Sequence, residues 1–148
     1  MAIHTEAASR VVAAAQREAK RLGFPFIQRE QLFLGLLHDP AVARILAEIG
    51  LDLESTRREV EQRLVPGLGA PEDPEQIGML PTADQVFRSR AQTAAALLGH
   101  THIGPEHILL GFLLEQHGVV LEVLTAAGAT KERVIDAIKR LDTQRGLS

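Results

Sequence analysis

From Thr5 to Leu22, apolar residues recur at spacings of three and four. Ala8, Val11, Val12, Ala15, Ala19 and Leu22 fall on one face, so the pattern predicts an amphipathic helix. Thr5 is placed to cap its start and Gly23 to close it. After a short loop, Phe24-Pro-Phe-Ile-Gln28, the run Leu32-Phe-Leu-Gly-Leu-Leu37 is continuous enough to predict a segment buried nearly all round. Asp39-Pro40 has the cap-then-proline order that opens a helix, predicted to end near Gly50. Asp52 is placed to cap a fourth helix, whose polar face carries Glu54, Arg57, Arg58, Glu61 and Gln62. Between Val65 and Leu80 the periodicity stops and Pro66, Gly67, Gly69, Pro71, Pro74 and Gly78 accumulate, which reads as a linker. Helical pattern resumes at Thr82-Ala-Asp-Gln85, which fits a capping box.

The second half repeats the first. A shift of 76 residues aligns Leu22-Gly23 with Leu98-Gly99, Ile27 with Ile103, Glu30 with Glu106, Leu34-Gly35 with Leu110-Gly111 and Leu37 with Leu113, seven identities in a window of sixteen. With two residues inserted in the second copy, Val42, Leu46 and Gly50 align with Val120, Leu124 and Gly128. The expected organisation is one domain over 1–148, with a first repeat at 1–64, a linker at 65–80 and a second repeat at 81–148.

Composition narrows the chemistry. The 148 residues include five Phe and no Trp or Tyr, and Leu, Ala, Val and Ile dominate, which leans all-α. Without cysteine there is no disulfide framework, thiolate metal site or thiol nucleophile, and a cytoplasmic setting is the natural expectation. A net charge of −3 with no Lys/Arg run, and no Tyr or Trp to stack on bases, argues against nucleic acid as a partner. No apolar stretch approaches the roughly 20 residues of a membrane-spanning helix. No serine stands in a Gly-x-Ser-x-Gly elbow and no Gly-Lys pair is present for a phosphate-binding loop, so neither catalytic residues nor a nucleotide cofactor are expected. His100, His102 and His107 lie close in sequence, but their spacing matches no zinc pattern; no metal is expected, with His100 and His102 read as loop residues and His107 as a helix-surface or pocket residue. Of Phe24 and Phe26, in the loop before the repeat helix, at least one is expected in the core.

The run Ile103-Gly-Pro-Glu-His-Ile-Leu-Leu-Gly-Phe-Leu113 resembles the signature of the Clp repeat, the duplicated N-terminal domain of ClpC- and ClpA-type unfoldases, and Ile27-Gln-Arg-Glu-Gln-Leu-Phe-Leu-Gly-Leu-Leu37 is a looser match. The resemblance implies an all-α fold of eight helices in two pseudo-twofold-related four-helix repeats. It also implies a non-catalytic domain that receives adaptor or client proteins for Clp unfoldase and protease components, monomeric when isolated. The chain would be either a domain cut from a larger unfoldase or a protein that stands alone. A different reading is a stand-alone decoy or small-ligand sensor that binds a peptide antibiotic or a metabolite.

Glu30 and Glu106 fall in the first turn of their helices, where acidic residues commonly offset the dipole. The resemblance adds a ligand role, because the matching glutamates of ClpC-type domains line two pockets for phosphoarginine. Thr5 and His107 are the matching neighbours here, Thr82 stands one residue past the aligned Pro81, and Arg29 completes the set of candidate pocket residues. Arg29 and Pro105 stand where the family has Thr, and Pro105 removes a backbone donor, so weaker binding is expected, more so at one site.

Overall fold

Capping side chains and apolar faces together set where the chain turns helical. A computed structural model describes residues 2–144; the expected ends at 1 and 148 lie outside them. Among the described residues eight helices follow one another: α1 (Glu6–Leu22), α2 (Arg29–Leu36), α3 (Pro40–Glu48), α4 (Leu53–Gln62), α5 (81–97), α6 (Pro105–Leu113), α7 (Val119–Ala126) and α8 (Lys131–Gln144). Thr5 Oγ1 accepts from the Ala8 amide at 3.1 Å, Asp39 from Ala41 and Val42 at 3.0 and 3.1 Å, and Asp52 from Ser55 at 2.8 Å, each satisfying an orphan donor of a first turn. Gly23 closes α1 in the left-handed region at φ 79°.

The capping box expected at Thr82 does not form. Helix α5 starts at Pro81, Leu80 is its N-cap without a side-chain bond, and Thr82 is exposed within the first turn. Proline, with fixed φ and no N–H, suits the first helical position and moves the start one residue forward. Leu80 thus occupies the place of Thr5, an offset of 75, whereas the closing bonds, Phe24 N–H to Ala19 O and His100 N–H to Ala95 O, keep the offset of 76. The extra residue is absorbed inside α5, where Val86–Arg90 form a π-helical turn.

Four two-residue strands, β1 (Ile3–His4), β2 (Phe26–Ile27), β3 (Gly78–Met79) and β4 (His102–Ile103), pair in parallel across the pseudo-twofold. In β1 with β4, Ile3 faces His102; in β2 with β3, Phe26 faces Gly78. Each pair ties the entry to one repeat's first helix to the loop ahead of the other repeat's α2 or α6. Residues 65–80 hold no α-helix but are not slack. Gly69 N–H donates to Gly23 O, Lys20 Nζ to Pro71 O and Gln16 Nε2 to Ile77 O, and Ile77 is buried.

Helices α2 and α6 occupy the centre, and their Phe33 and Phe112 meet edge to face at 5.6 Å. Helix α1 crosses α2 at Gly35 so closely that a Cβ there would stand 2.5 Å from the Ala15 amide nitrogen. Phe24 is buried, as expected of at least one of the pair, and Phe26 is half-exposed. Among the described residues no helix is long and apolar enough to cross a membrane.

Candidate functional site

Pro105 opens α6 and puts Glu106 in its first turn, with Gly104 immediately before the helix. Glu106 is buried, with 3% of its surface exposed, and its carboxylate lies over Gly104: a Cβ at that position would meet Oε1 at 2.2 Å. The absent side chain of Gly104 is therefore what makes room for the carboxylate. The β1–β4 pairing then brings the start of α1 alongside, with the Thr5 amide donating to Ile103 O at 2.9 Å. Thr5, Ala7, Glu106, Pro105 and His102, with Asp39-Pro40 at the start of α3, line a cleft of about 360 Å³. The lining combines Glu106 and Asp39 with the start of α1, where first-turn amides and the positive dipole end favour an anion.

Glu30, the counterpart of Glu106, is only partly buried, and its neighbour Gln28 carries the side chain that Gly104 lacks. Arg29, beside Glu30 on α2, reaches the second repeat, where its guanidinium donates to Glu115 Oε1 at 2.8 Å and to the His117 carbonyl at 3.4 Å. Glu115 also accepts from Arg90 at 2.9 Å. Thr82, exposed within α5, caps nothing. Of the six residues expected at the two sites, the structure brings Thr5 and Glu106 to one cleft and leaves Thr82 away from the capping role assigned to it.

His107 is fully buried, not on a helix surface. The three histidines converge, with ring nitrogens within 4.8 Å of one another, so His100 and His102, expected as loop residues, gather around His107. The Gly104 amide can only donate, so His107 Nδ1 accepts its proton at 2.9 Å and the ring proton of His107 sits on Nε2. Nε2 donates to His100 Nδ1 at 2.8 Å, and His100 Nε2 is directed at the Asp142 carboxylate 3.0 Å away on α8. Burial, reinforced by the nearby His100 and His102, lowers the His107 pKa to about 3. A metal ion on Nε2 would have to strip the proton while Nδ1 still accepts, leaving an imidazolate; the proton chain fits these residues better than a metal centre. In the first repeat Gln31 plays the His107 part by accepting from the Gln28 amide, while Phe24 stands where His100 does, and Gln31 Nε2 is buried without a hydrogen-bond partner.

Glu115, Arg90 and Asp142 were not singled out in the sequence. The alignment of the copies held a signal for the first, because the same shift that pairs Arg29 with Pro105 pairs Glu115 with Asp39.

The chain as a whole is similar to known proteins. The profile of the Clp repeat (R) N-terminal domain matches residues 3–127 and again 89–145. The chain is 37% identical over 139 residues to the chloroplastic chaperone protein ClpC1 of Oryza sativa and to its namesake in Arabidopsis thaliana, covering 93% of this chain and 15% of each relative. It therefore spans about a seventh of the length of those relatives. Among solved structures, the N-terminal domain of the chaperone ClpD from Arabidopsis thaliana superposes with a TM-score of 0.69 at 25% identity, over 93% of this chain and 96% of that one. The Hsp104 N-terminal domain from Candida albicans shares the fold with a TM-score of 0.71 at 17% identity, over 98% of this chain and 93% of that one.

Proposed function

We propose, from the premise that the chain belongs to the Clp repeat N-terminal domain family, that it is a non-catalytic recognition domain serving an ATP-dependent Clp unfoldase-protease system in the cytoplasm. The observation that carries this reading is the Glu106 cleft, which a buried glutamate and the start of α1 line together around a space of about 360 Å³. Such a cleft suits a side chain that is cationic at one end and anionic at the other. The carboxylate takes a guanidinium and the first-turn amides of α1 take a phosphate, which is the chemistry of a phosphoarginine on a client or adaptor protein. Pro105 supplies no amide, so the phosphate relies on α1 alone, and binding is weaker than two converging helix starts would give. Recognition of this kind would act by raising the local concentration of client near a motor, not by chemistry.

Calorimetric titration of free phosphoarginine tests the reading. Binding that disappears in Glu106→Ala and persists in Glu30→Ala is expected; heat that is indifferent to Glu106 overturns it. A second reading, a small-ligand sensor or decoy, draws on a groove of about 260 Å³ between α4 and α7, lined by Leu51, Ser55, Thr56, Arg63, Val123 and Ala127. A ligand-dependent thermal shift abolished by Ala127→Phe, with no Clp components recovered from lysate, would favour that reading.

A further inference from the structure

The duplication places a second copy of the cleft in the molecule, and the two copies can be compared residue by residue. Carried across the pseudo-twofold, Pro105 becomes Arg29, Asp39 becomes Glu115, Pro40 becomes Gly118 and Glu106 becomes Glu30. Pro105 has no side chain able to reach Asp39, and the Asp39 carboxylate is engaged by the amides of its own helix, so the cleft between them stays open. At the mirrored place the space is crossed. Arg29 extends from the first position of α2 to the Glu115 carboxylate, and its guanidinium lies against Gly118, whose missing Cβ would stand 3.2 Å from Arg29 Cζ.

The inserted residues explain why Glu115 is available. In the first repeat the aspartate sits directly before α3 and caps it; in the second, α7 begins four residues after Glu115, and Gly118 is its N-cap without a side-chain bond. Glu115 is thus freed from capping, and its side chain, 7% exposed, sits between Arg29 and Arg90. A largely buried carboxylate with two guanidinium partners holds each in a charge-assisted bond, stronger than an exposed surface pair.

We infer that Arg29 is a built-in plug of the first-repeat cleft, its guanidinium held in cis on Glu115, the counterpart of Asp39, across the space that stays open beside Glu106 in the other copy, so that this domain offers one recognition site and not two. The inference rests on the reading of the Glu106 cleft given above. It makes Arg29 a valency-setting residue: an array of tagged client side chains would engage each copy of the domain once, without the gain in avidity that two linked sites provide.

Titrating the full chain with free phosphoarginine by calorimetry, in wild type, Arg29→Ala, Arg29→Pro, Glu106→Ala and Arg29→Ala/Glu106→Ala, decides the matter. Arg29→Ala leaves Glu115 paired with Arg90, and Arg29→Pro copies the residue of the second repeat at a helix position proline favours, so two independent routes keep the fold. One site is expected in wild type, none in Glu106→Ala, two in both Arg29 variants and one in the double variant, the last removed by adding Glu30→Ala. A single site in both Arg29 variants, or two sites in wild type, overturns the inference. Wild type without any site overturns the Glu106 reading alone; the double variant then decides the plug, one site supporting it and none overturning it.

Discussion

His107 gives the sharpest quantitative expectation. In the folded chain its Nδ1 accepts from Gly104 and its Nε2 donates to His100, so a second proton would set an N–H against the Gly104 amide. Burial and the neighbouring histidines lower its pKa to about 3, against roughly 6.5 in an unfolded chain. The group is depressed, so its contribution to stability is complete above the unfolded pKa and is lost as pH falls, because the unfolded state takes up the proton first. Going from pH 7 to pH 5, this linkage removes about 2 kcal/mol, a figure insensitive to the folded value as long as that stays below 4. With about 0.3 kcal/mol/K of unfolding entropy for a chain of this size, the melting temperature falls by about 6 °C. His107→Gln keeps a side chain that caps as Gln31 does in the first repeat, and it has nothing to protonate. Thermal melts of both proteins at pH 7, 6 and 5 and constant ionic strength should therefore show wild type losing about 6 °C more than the variant. The range stops at pH 5 to stay clear of Glu18: burial pushes its carboxyl up, but hydrogen bonds from Arg21 and His38 prevail and hold it below the ordinary value, so its contribution is lost only at lower pH. Parallel pH dependences in the two proteins would refute the proton chain.

Other perturbations probe the packing and the cleft. Gly35→Ala drives a methyl group to 2.5 Å from the backbone of α1 and should cost more than 3 kcal/mol in urea denaturation, whereas Gly111→Ala, with 3.1 Å of clearance to the Ala91 amide, should cost about 1 to 3 kcal/mol; equal losses would contradict the closer approach in the first repeat. Thr5→Ala removes the α1 cap and should lower stability by about 1 kcal/mol, while Thr82→Ala should change it by less than about 0.5 kcal/mol. Gly104→Ala displaces the Glu106 carboxylate without touching helical backbone, so phosphoarginine affinity should fall at least tenfold with helix content unchanged by circular dichroism; unchanged affinity would separate the carboxylate from the ligand.

Helix periodicity, the aspartate caps at 39 and 52 and the Gly23 stop are local features, and the folded chain uses them as read. The start of α5 was misplaced because a threonine with a glutamine three residues on is a capping box only if the chain leaves the helix there, and Pro81 takes the first helical position ahead of it. The one-residue surplus that results shows up as a π turn, which no hydrophobic pattern signals. Two-residue strands are too short for any alternation to announce them. Glu106 was legible through its resemblance to a known motif, but its partners were not. Thr5 and Asp39 reach the cleft through the β1–β4 pairing and the packing of α3, and Arg29 meets Glu115 across 86 positions of sequence. His100 and His102 gather around His107 because the Leu98-Gly99 turn folds the loop back over α6, a geometry that loop composition does not encode.

The crossed strand pairs bear on how the chain reaches this state. Most helical domains of this size assemble from neighbours in sequence and fold quickly. Here Ile3 must find His102, about a hundred residues away, before the first repeat's entry is secured, and Phe26 must find Gly78 before the second's is. Each repeat thus holds the latch of the other. A chain severed within residues 65–73 would yield two pieces with open latches, each a template for its missing half in another copy, so exchange of repeats between molecules is the misassembly this topology invites.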